Sequence, residues 1–155
     1  MKQWHLGYLA AMIDAESHVG IQRDTGPRRR TPAYVIRYEL TMVDKKTIDF
    51  VNSLLPRAKR LYTRSHGRRS AYYRLRLCQQ EALNLLRLAL PYVQGKQRQV
   101  EICLELDALR RSYSPSRKHH GAPHFLPLPV EFGIKADVLF AEFRSLQLNK
   151  KPRKK

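Results

Sequence analysis

The stretch AYVIRYELTMV, from Ala33 to Val43, alternates two kinds of residue along its length, and this constrains the fold more than any other feature. Tyr34, Ile36, Tyr38, Leu40 and Met42 fall on one side, and Val35, Arg37, Glu39, Thr41 and Val43 on the other. A period of two belongs to an extended strand with one side on a core and the other in water, the habit of antiparallel sheets. Such a strand needs neighbours. Ser17–Asp24 alternates before it, across a turn-rich tip, TGPRRRTP, that carries three consecutive arginines. A second pair of strands is expected at about 60–66 and 71–78, joined at HGRRS.

Helical spacing fills the intervals. Trp4–Ala15 puts Leu6, Leu9 and Ile13 on one side and Gly7, Ala11 and Asp14 on another. Asp44 can cap a helix whose apolar positions include Ile48, Val51, Leu54 and Leu55. EALNLLRLAL is a leucine-rich helix closed by Pro91, and Val100–Arg111 is another, with Val100, Cys103, Leu104 and Ala108 inward. A last amphipathic helix begins near Pro129, with Ile134, Val138, Phe140 and Phe143 apolar. SYSPSRKHHGAPHFLPLP reads as a surface loop and NKKPRKK as a basic tail. The order α-β-β-α-β-β-α-α-α predicts a single α+β domain over residues 1–155, one four-stranded antiparallel sheet with helices on one face. A chain of this length buries a core without staples.

Charge narrows the function. Thirty Lys+Arg against 13 Asp+Glu leave a net +17, and this self-repulsion is relieved by a polyanion. Nucleic acid is the expected partner, ahead of an anionic membrane surface. No apolar run approaches the roughly 20 residues of a membrane span. Asp14 and Glu16 interrupt any signal-peptide layout. Cys78 and Cys103 lie in apolar patterns, which predicts reduced core thiols and an intracellular setting. The open face of the sheet would carry Gln22, Arg37, Glu39, Thr41, Tyr62, Arg64, His66, Tyr72, Arg74 and Arg76. That mixture of donors, acceptors and aromatics suits base edges in a major groove, which admits a β-ribbon. An ordinary solvated face is the plainer alternative, disfavoured because arginine dominates. His119, His120 and His124 suggest zinc, but Gly121 and Pro123 interrupt them and a solvated loop is expected.

At Leu9–Ser17, LAAMIDAES resembles the LAGLIDADG motif of homing endonucleases. Leu9, Ala10, Ile13, Asp14 and Ala15 match it; Ala11 replaces a glycine, Met12 a leucine, Glu16 an aspartate and Ser17 the final glycine. PYVQGKQRQVEICL (Pro91–Leu104) resembles the family's segment bearing an active-site lysine, which falls on Lys96. YTRSHG resembles a sheet segment that touches bases, and FRSLQLNKKPR the C-terminal helix of single-motif members. A single copy of the motif goes, in this family, with homodimers.

The resemblance implies a site-specific, Mg²⁺-dependent endonuclease of double-stranded DNA, acting on a long pseudo-palindromic target. Motif helices of two protomers would pack along small residues, placing Gly7, Ala10, Ala11 and Asp14 at the dimer interface. Glu16 would be the metal-binding acid, with the Ala15 carbonyl as a neighbouring ligand and Lys96 as a catalytic cation at the rim. Asp14 supports the helix end first. Asp44 falls where the family often orders a catalytic water, and a plain helix cap is the equal alternative. His18 and His66 would touch DNA, and Arg28, Arg29 and Arg30 would meet phosphate. Ile48 departs from relatives that place a basic residue nearby, for which Arg98 could substitute. The competing reading is a nucleic-acid-binding protein of the same fold without cleavage, an RNA-splicing maturase or transcriptional regulator. An intact Glu16 argues for the enzyme.

Overall fold

A computed structural model describes residues 2–26, 32–63, 72–113 and 128–148. Helix α1 (Gln3–Ala15) runs into β1 (Ser17–Asp24) through Glu16 alone, and β2 is Ala33–Met42. Then follow α2 (Lys45–Leu54), β3 (Lys59–Thr63), β4 (Tyr72–Cys78) and α3 (Gln80–Ala89). A 3₁₀ turn (Leu90–Tyr92) leads to α4 (Gln97–Tyr113), and α5 is Val130–Leu148. The four strands form one antiparallel sheet in the order β1-β2-β4-β3. This is the α+β arrangement that the change of period demanded.

The alternation along β2 becomes a partition of space. Tyr34, Ile36, Tyr38 and Leu40 are buried beneath the helices, while Val35, Arg37 and Glu39 are half-buried on the open side. Leu9, Ala10 and Ile13 of α1 join them, with Val51 of α2, Leu83 and Leu86 of α3, Ile102 of α4 and Phe143 of α5. Asp44 caps α2, accepting from the amides of Lys46 and Thr47 and from the Thr47 hydroxyl. The Thr47 hydroxyl bond first, then the two amides, hold its carboxyl below the usual carboxylate range. Between β4 and α3 the chain turns on Gln79, whose φ of 48° lies in the left-handed region. Its amide donates to the Ile36 carbonyl and its side-chain oxygen accepts from the Ile36 amide, so one residue closes the ladder and starts the helix.

Three expectations are corrected. Tyr62 pairs with Tyr73, so its backbone position has the helix-side parity and not that of Tyr72, Arg74 and Arg76. Arg60 accounts for the register: it reaches inward to Asp49 of α2 at 2.6 Å and lies over the Tyr73 ring. With a period of two, fixing one residue fixes them all, and Lys59 and Leu61 take the open side instead. On α5 the buried face is set by Phe132, Ala136 and Phe143, which turns Ile134 and Val138 out to solvent; on α4, Ala108 is likewise exposed. Cys103 is a core thiol, pushed up to about 12 by burial, but Cys78 is exposed, because its partner Arg37 puts it on the open side. Among the described residues no helix is long and apolar enough to cross a membrane.

Candidate functional site

The polar centre of the molecule is the α1–β1 junction. Asp14 turns toward the segment before α4: one carboxylate oxygen accepts from the Gln94 amide at 2.8 Å and the other from the Lys96 amide at 2.9 Å. Lys96 answers in the opposite direction. Its ammonium is buried against the carbonyls of Ile13 and Ser17. Those carbonyls bracket Glu16, and the last carbonyls of a helix have no amide of their own and carry the negative end of its dipole. A cation is therefore well placed there. Buried Ser17 donates to the hydroxyl of Tyr38 at 3.0 Å, tying the start of β1 to β2. That hydroxyl is held up at about 12, chiefly by burial. Between these clamps Glu16 caps α1 with its side chain exposed.

Two consequences differ from expectation. Lys96 is not at an open rim; its charge is turned inward and satisfied by backbone. Ala10 is 1% exposed, packed into its own chain's core, so it cannot face a second protomer. Asp14, half-buried, spends its carboxylate on the Gln94 and Lys96 amides and so braces the helix end. Gly7 and Ala11 do lie on an outer strip of α1, with Ala15 and the 57%-exposed Trp4. Ile48 is fully buried, which explains why no basic residue stands there. Arg98 is not a substitute. It binds Glu142 of α5 through Nε at 2.8 Å and also contacts Glu101 and Glu105; the bonds to Glu142 and Glu105 raise its pKa, and the bond to Arg98 lowers that of Glu142.

The open face gathers most of the residues expected on it. His18, Gln22 and Thr41 are exposed there, and Arg37, Glu39, Tyr72, Arg74 and Arg76 are half-buried. In register His18 lies beside Glu39, Glu39 beside Arg76, and Arg76 beside Lys59, a row across all four strands. The His18 ring lies over Gly20, where a Cβ would come within 2.7 Å of its Nε2, so the glycine makes room for the imidazole. The Nε groups of Arg37, Arg74 and Arg76 are buried, and none is aligned on an acceptor. Those of Arg74 and Arg76 still face the Glu39 carboxylate, at 3.5 and 2.9 Å; that of Arg37 has no acceptor among the described residues, which is uncommon for a buried donor. Arg28–Arg30, Arg64, His66 and the histidines at 119, 120 and 124 lie outside the described residues.

A divalent ion can be judged against the donors present. Glu16 offers a carboxylate, and Ala15, the last residue of α1, a carbonyl without an intrahelical partner. Both are hard oxygen donors, the kind Mg²⁺ prefers, and Mg²⁺ commonly keeps waters and phosphate oxygens beside one or two carboxylates. Among the described residues no three His, Cys, Asp or Glu side chains gather into a metal site. The donors therefore fit Mg²⁺ only as part of a shell, beside waters and phosphate oxygens.

The sequence matches no protein-family model and no curated protein. The fold does match solved structures. It superposes on the homing endonuclease I-CvuI, solved in complex with its target in the presence of Ca, with a TM-score of 0.69 and 13% identity, covering 98% of this chain and 87% of that one. The archaeal intron-encoded homing endonuclease I-Vdi141I, complexed with DNA, gives a TM-score of 0.71 at 12% identity, covering 100% and 90%. This chain has the LAGLIDADG homing-endonuclease fold. The LAGLIDADG homing endonuclease I-GzeII, in complex with its DNA target, aligns at a TM-score of 0.59 and 10% identity, with 90% of this chain on 43% of that one. Against the LAGLIDADG fold, LAAMIDAES falls on the end of α1 and the start of β1, where the junction is clamped.

Proposed function

We propose that the protein is a site-specific, Mg²⁺-dependent endonuclease of double-stranded DNA that acts as a homodimer on a long pseudo-palindromic site, inside the cell. The observation that carries this reading is an exposed Glu16 on a junction held rigid from both sides, at the edge of an arginine-rich open sheet. The sheet would lie in the major groove and read bases. Glu16 and the Ala15 carbonyl would hold Mg²⁺, which supplies charge stabilisation at the phosphate and an activated water. Lys96 would keep the carbonyls around Glu16 in place. Asp44 lies four residues beyond Leu40, the register partner of Ser17, so it stands at the same end of the sheet; there it would orient water as well as cap α2.

Dimerisation is supported by Gly7. A Cβ added there meets nothing within 4 Å, so the chain's own packing does not require glycine in the middle of α1. Glycine weakens a helix interior by roughly 0.5–1 kcal/mol relative to alanine. With Ala11 it leaves a low strip on which a second α1 could lie close, bringing two Glu16 carboxylates together.

The inward-turned Lys96 favours one competing reading, a DNA or RNA binder without cleavage, since it removes a cation expected near the phosphate. A cleavage selection on randomised duplex DNA with Mg²⁺ separates the two. The expected result is recovered cut sites, and Glu16→Gln should lose more than about a hundredfold in cutting, beyond the usual effect of an outer-shell change, while still binding the selected site. Cleavage by Glu16→Gln equal to the parent would remove Glu16 as the metal ligand; no cutting by the parent would leave the binder.

A further inference from the structure

A sheet that only needed to attract phosphate would do best with no acid on it. Yet Glu39 stands in the middle of this one, its side chain 18% exposed, between His18 of β1 and Arg76 of β4. Its two oxygens serve two arginines: Oε1 lies 2.9 Å from Arg76 Nε and Oε2 lies 3.5 Å from Arg74 Nε. The Arg74 guanidinium also sits over the Tyr72 ring, 5.7 Å from its centre. The printed approach of Glu39 to both arginines is at Nε, and the Nη groups are the distal end of an arginine side chain. That end matches the O6 and N7 acceptors of guanine, where Arg binds with two parallel hydrogen bonds.

We propose that Glu39 is a positioning residue that sets Arg74 and Arg76 as a paired guanine reader, and that each half-site carries guanines two base pairs apart beneath β4. The inference rests on the DNA reading above and adds a target class to it. The spacing follows from the strand. Residues two apart on one side of a strand are separated by about 6.6–6.8 Å, and two base steps at about 3.4 Å each span the same distance. The carboxylate also separates guanidinium charges that would otherwise repel one another at close range. The alternative is that Glu39 itself accepts from a cytosine amine; both of its oxygens already face arginine, which argues against this.

The test is a binding selection from randomised duplex DNA with the parent, Glu39→Gln, Glu39→Asp, Arg74→Lys and Arg76→Lys, read as base preference at each position. The parent should enrich two guanines separated by one base pair. Glu39→Gln should lower the preference at both positions together by about tenfold, Glu39→Asp should restore part of it, and each Lys variant should affect one position only. A purely structural role would shift melting without this paired signature. The proposal is overturned if Glu39→Gln leaves both guanines intact, or weakens only a third position of its own. Should Glu39→Gln fail to fold, the two Lys variants still decide: losses not spaced by one base pair overturn the reader. A parent that enriches no sequence at all defeats the DNA reading itself, a distinguishable result.

Discussion

The C-terminal end of α1 and the open face of the sheet are both crowded with polar groups, but they are completed to different degrees. At the junction the groups that flank Glu16 find their answers within the chain. Asp14 takes two amides, Lys96 gives to two carbonyls, and Ser17 meets Tyr38. On the sheet, three guanidinium Nε groups are buried without an aligned acceptor, and one carboxylate is shared between two arginines. The difference separates what a protein must fix before its ligand arrives from what the ligand is to finish. A metal-holding carboxylate gains from a frame already in place. Donors meant for base edges cannot be satisfied in advance without losing their use.

If the junction is such a frame, cutting its bonds should damage the fold itself. Lys96→Met leaves the Ile13 and Ser17 carbonyls buried without a donor, at about 1–3 kcal/mol each. The expected loss is therefore about 2–6 kcal/mol in urea unfolding, accompanied by loss of cleavage. Asp14→Ala removes the acceptor of two amides in a more open place, and about 1–3 kcal/mol is expected. The two losses should not add, because both groups hold the same turn to the same helix end. Additivity within about 0.3 kcal/mol would mean that the two clamps are independent.

The sheet was legible in the sequence where a single strand states its own period. β2 carries its inside and outside in plain alternation, which places Arg37, Glu39 and Thr41, and the same period in β1 and β4 places Gln22, Tyr72, Arg74 and Arg76. β3 does not. Its side of the sheet depends on a register marked by Arg60 reaching Asp49 on the preceding helix, which no period within β3 states, so Tyr62 takes the parity opposite to the one expected. Lys96 could be located by resemblance to the family segment, but its direction could not. Nothing in QGKQ tells that the ammonium turns toward carbonyls about 80 positions earlier. Ala10 and Ala11 look alike in a run of alanines; only the angle around the helix makes one core and the other surface. The bond between Ser17 and Tyr38 is not legible, because a buried hydroxyl pair leaves no periodic trace.

The outer strip of α1 belongs to neither class, since it is apolar and unfilled, and Gly7 tests it with opposite signs. Gly7→Ala should stabilise the isolated chain by about 0.5–1 kcal/mol, there being room for the methyl group. The same change should weaken self-association in sedimentation, and Gly7→Leu should weaken it further. Stabilisation of the chain without any change in association would show that α1 does not pack on a second copy.

The smallest effect on stability belongs to the sheet, where the contrast with the junction is sharpest. Arg37 has no ion pair among the described contacts, and its buried Nε lacks an aligned acceptor. Arg37→Ala should therefore leave unfolding within about 0.5 kcal/mol of the parent, or raise stability slightly by removing an orphaned donor. Its effect should appear only on DNA. If Arg37 meets a phosphate, the slope of log affinity against log salt falls by about one unit and all sequences weaken alike. If it meets a base, the slope holds and one position of the target loses its preference. A loss of stability comparable with that of Lys96→Met would instead make the open face part of the frame, and the distinction between the two regions would fail.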